Sequence, residues 1–444
     1  MAERSTTSVV TSSGIARADV EALSERLKEP VWLRERRLEA WEAFEHLPLP
    51  SATHQEEWRR TDIAGLDIGA FALPHGGGAA APGHALAGDA RERTGFLVHA
   101  DGSSAQVELD EAVDGQGVIF ADLSNAATSH PDLVREHLFR TMPGFDEHKF
   151  RALHAAFWSG GTFVYVPRGV EVTLPLVAHS HLSTSGAALF PHTLVVAEAG
   201  SRVTVIDLYT SNANGERTLA CGVNELILGD AAQVRYVAVQ EWGASMWEVG
   251  SVIRAHLARD ATLHSLVVGL GGGLVKVDVE SQLFGQGASS EMLGVYFGAA
   301  KQHFDFHTLQ EHRAPSTMSE LLYKGAVTDH AHTVFAGLIR VDWGAQKTNA
   351  FQANRNLILS ATARSDSIPK LEIMANDLRC THGSATSRLN EEHIFYLMSR
   401  GLSRDQATHM IVEGFFADIF DRIPIERVRA HLEQRIAEKM AGRV

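Results

Sequence analysis

Two residue types well suited to holding a soft metal lie two positions apart near the C-terminal end of the chain, in "LRCTHGSATS" at 378–387. Cys380 and His382 can offer a thiolate and an imidazole to iron or zinc, but two ligands do not fill a coordination sphere. Cys-x-His also lacks the spacing of the zinc-knuckle and Cys-x-x-Cys patterns. On a strand the two side chains share one face, so a metal site there has to be completed by another chain. The alternative is a half-buried cysteine beside a surface histidine.

Other polar clusters carry less. "KQHFDFHTLQEH" at 301–312 puts His303, Asp305 and His307 on one strand face and Phe304 and Phe306 on the other. The outer two histidines are then about 13 Å apart along the backbone, nearly collinear, and converge poorly on one ion. Polar ladders between neighbouring strands are the preferred reading. His330 and His332 repeat the pattern more weakly and read as exposed turn residues. Cys221, in "LACGVNELIL", reads as a buried inert thiol. No G-x-x-x-x-G-K-[ST] loop or G-x-S-x-G elbow occurs, and "GLGGGL" at 269–274 has no lysine, so the chain is not expected to hydrolyse ATP. Polysaccharide cleavage would recruit Asp305 or Glu311, but the spacing selects no pair of carboxylates.

The elements that must position these residues sit in a chain of 444 residues, 45% hydrophobic, long enough for two or three domains. With 54 acidic against 40 basic residues the formal charge is -14, which gives no basic field for nucleic acid or anionic lipid. Two cysteines suit a reducing compartment. The start of the chain lacks the apolar run of a signal peptide, and no segment approaches a membrane span, so a cytoplasmic protein is expected.

Three regions differ in period. From Arg17 to about His46, Val20, Leu23, Leu27, Leu33, Leu38, Trp41 and Phe44 recur at helical spacing, broken at Pro30. A Gly/Ala/Pro stretch at 73–88 reads as a linker. The expected boundaries are an N-terminal helical region with linker and short strands over 1–150, a β core over 151–388 and a helical domain over 389–444. In the core, "TFVYVP", "RVTVIDL", "NELILG", "QVRYVAV", "LHSLVVGL", "HTVFAGLIRV" and "RNLILS" read as strands. Turn residues Gly169, Gly200, Asp230, Asp260 and Gly287 precede such strands at steps near 30, and a later pair at His330 and Gly344 falls at about half that step. A fixed period of this length points to a stacked β-helix rather than an irregular sandwich.

After Arg388 the helical period returns. Asn390 caps one helix, Ser403 and Gln406 form a capping box for the next, and a third runs from about Ile425 to Met440. The second carries Ile411, Phe415, Phe416, Ile419 and Phe420, a surface that either packs on the solenoid or receives a partner.

The run "SELLYKGAVTDHAHTVFAGLIRVDWGAQKTNAFQANRNLILS" followed by "PKLEIMANDLRCTHGSATSRLNEEHIFYLMSRGLSRDQATHMIVEGFF" resembles the SufB/SufD family of iron-sulfur cluster assembly proteins. "WLRERRLEAWEAFEHLPLP" and "EEWRRTDI" resemble its SufD branch. The resemblance implies a right-handed parallel β-helix between helical ends, and a non-catalytic scaffold that pairs with a SufB-like protein. It implies that the C-terminal helices, through Ile411, Phe415, Phe416, Ile419 and Phe420, dock a SufC-like ATPase of the ATP-binding-cassette type. It assigns His382, with Cys380 as accessory, to the interface where a transient iron-sulfur cluster forms, and allows a homodimer of the isolated chain. SufB proteins carry a cysteine before the strand that here reads "IPKLE" and a glutamate where Gly383 stands. A self-sufficient SufB-like scaffold is therefore the second reading, and a β-helical carbohydrate enzyme the third.

Overall fold

A strand covered on both faces carries branched residues at nearly every position, and such strands prefer parallel stacking. In the computed structural model, which describes residues 15–74, 81–142, 144–145, 148–212 and 215–442, the segments rich in valine, leucine and isoleucine stack in this way. Residues 75–80 of the expected linker lie outside that description. Strands β1 (Gly95–Ala100), β2 (Ser103–Leu109), β3 (Ile119–Asp122) and β4 (Gly161–Val166) lead into β5 (Leu176–Leu182), β6 (Ala188–Leu189), β7 (His192–Ala197), β8 (Arg202–Ser211), β9 (Thr218–Ala220), β10 (Val223–Leu228) and β11 (Gln233–Glu241). There follow β12 (Met246–Leu257), β13 (Thr262–Gly269), β14 (Leu274–Leu283), β15 (Ser289–Gly298), β16 (His303–His312), β17 (Met318–Val327), β18 (His332–Val341), β19 (Thr348–Ile358), β20 (Arg364–Ile373) and β21 (Leu378–Arg388).

One sheet has the order β2-β1-β5-β8-β11-β13-β15-β17-β19-β21 and the other β20-β18-β16-β14-β12-β10-β7-β4-β3. Successive strands alternate between the two sheets, which makes a parallel β-solenoid of about eight turns. Its parallel stacking reaches back to β1, which pairs with β5 and lies well before residue 151.

The 30-residue period has a backbone cause. Gly169, Gly200, Ala231, Asp260, Gly287, Ser316 and Lys347 all have left-handed φ between 56° and 77° and turn the chain toward the first sheet. In the third of these turns the left-handed residue is Ala231 rather than Asp230. Each coil has a second corner, marked in the later coils by Ala300 and Asp329, also at positive φ. The half-step between His330 and Gly344 is the distance between the two corners of one coil.

The solenoid interior is apolar through most of its length, with Leu97, Val164, Tyr236, Phe304, Phe306, Tyr323 and Phe335 in one cluster. Helices cover both outer faces. Helices α1 (Arg17–Leu27), α2 (Val31–His46), α3 (Glu111–Asp114), α4 (Leu123–Ser129), α5 (Pro131–His137) and α6 (Lys149–Phe157) precede or interrupt the first coils. Trp41 and Phe157 pack α2 and α6 onto the second sheet's Phe163, Leu194 and Val223. Arg37 is fully buried between Glu29 and the Ala156 carbonyl. At the other end of the chain come α7 (Glu391–Ser399), capped by Asn390, α8 (Arg404–Phe420), opened by the Ser403–Gln406 capping box, and α9 (Glu426–Met440). Among the described residues no helix is long and apolar enough to cross a membrane.

Candidate functional site

The last coil leaves two strands paired on one side only, β20 on β18 and β21 on β19. An edge strand with free backbone groups is a template for another chain. On β21, Cys380 stands in register with Ala350, His382 with Gln352, Ser384 with Asn354 and Thr386 with Asn356. Those four β19 residues are buried inside the solenoid. In a parallel ladder partners share a face, so Cys380, His382, Ser384 and Thr386 face the interior across an open mouth. On the opposite lip, Ser365, Ser367, Pro369 and Leu371 of β20 continue the inward columns of Thr333, Phe335, Gly337 and Ile339.

His382 is exposed at this mouth. Cys380 is half-buried against Ile339, Val341, Ala345, Ala350 and Ala375. That burial pushes its thiol up, so a metal that takes Cys380 as a ligand has to displace a proton. A Cβ added at Gly383 would meet no atom within 4 Å, which leaves space beside His382. The shared face of Cys380 and His382 is therefore present, and the remaining coordination positions open outward.

The interior beneath the mouth is polar. His312 bonds Thr317 Oγ1 at 2.7 Å through Nδ1 and Ser319 Oγ at 2.8 Å through Nε2. Tyr296 donates to Asn356 Oδ1 at 2.5 Å and accepts from Asn354 at 3.0 Å. Burial pushes the His312 imidazole down to about 4, so it is neutral at physiological pH.

The other sequence candidates are placed elsewhere. Asp305 is fully buried on the outside of the second sheet, with Lys276 Nζ at 2.9 Å, Thr61 Oγ1 at 2.5 Å and His307 Nε2 at 3.0 Å. Lys276 holds the carboxylate ionised and occupies the place of a metal. His303 also bonds Thr61, and burial pushes it down to about 4. These residues tie the N-terminal segment to the solenoid. His332 pairs with Asp366, and Cys221 is fully buried with its thiol pushed far up. Glu311 is buried and pairs with Gln282 and Arg313. Gly271 of "GLGGGL" packs against the Trp242 backbone, where a Cβ would come within 2.2–2.3 Å.

One cluster had no signature in the sequence. His84, Glu241 and His431 come from three distant segments, and their ligand atoms lie within 4.8 Å of one another. His84 Nδ1 accepts from the Leu86 N–H at 3.1 Å, which leaves the proton on Nε2, facing Glu241 at 3.2 Å. His431 and Arg435 also bond Glu241, at 2.7 and 3.3 Å. A donor set whose nitrogen already carries a proton toward the carboxylate, beside a guanidinium, is a clamp for α9 rather than a cation site.

The apolar face of α8 divides. Phe416, Ile419 and Phe420 are buried, packed with Val412 on outer-face residues of the first sheet such as Val237, Leu266 and Leu293. Ile411 and Phe415 are half-buried. The open apolar surface of this region belongs to α7 and the start of α8, with Phe395 74% exposed, Tyr396 56%, Met410 49% and Met398 44%. The sequence missed these because their helical spacing is the same as that of core residues. Self-packing, the alternative left open for α8, is what Phe416, Ile419 and Phe420 do.

Comparison with known proteins points one way. The family model described as "SUF system FeS cluster assembly, SufBD core domain" matches residues 180–415, and that of the "SufBD protein N-terminal region" matches 95–177. The iron-sulfur cluster assembly protein SufD of Bacillus subtilis is 32% identical over 423 residues, covering 95% of this chain and 97% of that protein. The SufB protein of the same organism is 27% identical over 434 residues, covering 93% and 90%. A SufBD family protein of Staphylococcus epidermidis is 30% identical over 332 residues, covering 73% and 71%.

Proposed function

From the premise that this chain belongs to the SufB/SufD family of the SUF system, and so has a role in iron-sulfur cluster assembly, we propose that it is a non-catalytic scaffold subunit whose open solenoid end pairs with a SufB-like protein. The observation that carries this reading is the last coil: β20 and β21 are unpaired on their outer edges, and His382 faces the mouth they form. A second β-solenoid ending in the same way would supply the missing strand partners and bury the polar rim.

At that junction His382 serves as a ligand for iron of the nascent cluster, which is cargo passing through the site. Cys380 stands beside it as an accessory ligand, and the partner supplies the other positions. Imidazole and thiolate suit iron at this stage. ATP hydrolysis belongs to a SufC-like subunit. Its dock is α7 with the start of α8, where Phe395, Tyr396, Met398 and Met410 are open, extended by half-buried Ile411 and Phe415. Phe416, Ile419 and Phe420 act from beneath by fixing α8 to the first sheet. In the absence of SufB the same open end can join two copies of this chain. Both cysteines are free thiols, in keeping with a cytoplasmic setting.

The test is His382→Ala in the chain co-expressed with its SufB-like and SufC-like partners and purified anaerobically. The variant is expected to fold, to keep both partners, and to lose most cluster formation as read by the visible iron-sulfur absorption. Wild-type cluster yield would remove the ligand assignment. Failure to recover a second solenoid protein with the tagged wild-type chain would remove the pairing.

A further inference from the structure

Gln352 lies one rung below His382 in the same inward column, and its side chain is fully buried. Neither Nε2 nor Oε1 of its amide has a hydrogen-bond partner. Buried amides are almost always satisfied, and an exception asks for a reason. The amide is held in place from across the interior. Gly337 of β18 stands opposite, and a Cβ added there would lie 2.4 Å from Gln352 Nε2 and 2.5 Å from both Cδ and Oε1. The amide therefore lies flat over Gly337, where a side chain would displace it. Above Gly337 in the same column is Pro369, and above Gln352 is His382, so the two residues that roof the amide are the two lips of the mouth. Ser367, next to Pro369 on β20, also has an unpartnered buried hydroxyl.

We infer that Gln352 is the positioning residue for His382: its Oε1 accepts the proton of one ring nitrogen and so directs the lone pair of the other out of the mouth toward the metal. In parallel strands the next rung is about 4.8 Å away, so an imidazole stacked over an amide reaches it by rotation of its own side chain. The structure shows the ring exposed and the amide unbonded; the inferred contact forms when the ring turns inward, in the isolated chain in solution as well as in the assembly. A histidine that binds metal commonly donates its other N–H to a carbonyl or carboxylate, and that bond fixes the tautomer and aims the ring. Among inward residues of the last two coils, Gln352 brings an uncommitted carbonyl oxygen directly beneath His382. Asn354 and Asn356 are engaged with Tyr296 and with each other. The inference rests on the reading of His382 as a ligand for its functional half, and on the fold alone for its structural half.

Two measurements separate these halves. The full chain, labelled with ring-¹⁵N histidine, gives a long-range ¹H–¹⁵N spectrum in which the His382 signals are identified by their loss in His382→Ala and report which nitrogen carries the proton. Gln352→Leu keeps the volume, removes the acceptor and is expected to fold at least as well as wild type, because it replaces an unsatisfied amide by an apolar group. It should shift the His382 signals away from the wild-type tautomer pattern. In the assembly with both partners it should slow cluster formation about tenfold, the scale of losing an outer-shell partner of a metal-binding histidine. Gln352→Asn, which keeps the amide but withdraws it from Gly337, should restore neither. Unchanged His382 signals in Gln352→Leu overturn the inference outright. Shifted signals with wild-type cluster formation, in an assembly where His382→Ala is defective, overturn the positioning role. Wild-type cluster formation by His382→Ala strikes the ligand reading instead, and the spectrum then judges the contact alone.

Discussion

The two ends of the solenoid are built on opposite principles. At the first coil the chain crosses its own mouth: β2, α3 and β3 bring Leu109, Val113, Val118 and Phe120 onto Leu97, Val164, Val166 and Leu176. Both outer strands there run antiparallel to their neighbours, β2 on β1 and β3 on β4, so the parallel ladder ends in strands of opposite direction, which form the sheet edges at that end. Polar groups at that end are largely paired with one another: His99 bonds Asp122 at 3.0 Å through Nε2, although its buried Nδ1 has no partner, and Asp101 accepts from Ser183 and Thr184. Among the described residues no segment crosses the last coil. Strands β20 and β21 end as parallel edges, most of their residues are at least partly exposed, and unpartnered polar atoms of Gln352 and Ser367 lie just inside. A stacked repeat needs a cap at each end. One is written into this chain, and we place the other in a partner.

The largest expected effect tests the closed end. Phe120 is 3% exposed and packs so closely that a Cβ on Gly95 would come within 2.7 Å of its ring. Phe120→Ala should cost about 3–5 kcal/mol in urea unfolding of the isolated chain. Ser384→Ala, at the open mouth, should change stability by less than about 0.5 kcal/mol. Equal losses at the two positions would mean that the last coil is already sealed in the isolated chain.

Much of the fold was legible in the sequence, and the reason is periodicity. The left-handed corners at Gly200, Asp260 and Gly287 recur because each coil must turn at the same place. The caps of α7 and α8 could be read because Asn390, Ser403 and Gln406 act over two or three residues. The shared face of Cys380 and His382 followed from the strand period alone. What stayed hidden depends on contacts far apart in the chain. The Asp305 cluster takes Thr61 from 244 positions away, and the α9 clamp joins His84, Glu241 and His431. Gln352 reads as one more strand residue until its register with His382 and its opposition to Gly337 are known.

A second effect, of similar size on its buried side, contrasts the two faces of the C-terminal helices. Phe416→Ala should cost about 3–5 kcal/mol, because the ring is fully buried between α8 and the first sheet. Phe395→Ala should leave the unfolding midpoint nearly unchanged and weaken co-purification of the ATPase subunit by about tenfold, the loss expected of an aromatic anchor at an interface. If Phe395→Ala instead lowers stability and leaves the ATPase bound, the open apolar surface of α7 packs on this chain's own structure, and the dock has to be sought elsewhere.

The smallest effect concerns Cys380, which shares the mouth with His382 but not its environment. Its sulfur lies half-buried among Ile339, Val341 and Ala350, and burial pushes the thiol up, so at neutral pH the residue behaves as a small hydrophobe. Cys380→Ala should therefore cost about 1 kcal/mol or less in the isolated chain. In the assembly an accessory ligand predicts a partial loss of cluster formation, smaller than that of His382→Ala. A loss as complete as that of His382→Ala would make the thiolate a full ligand, and the proton it must give up would then link iron binding to pH. No loss at all would leave His382 as this chain's sole ligand. Cys380 would then be a packing residue at the lip, part of the small apolar cluster of Ile339, Val341 and Ala350 that the open end leaves for another subunit to cover.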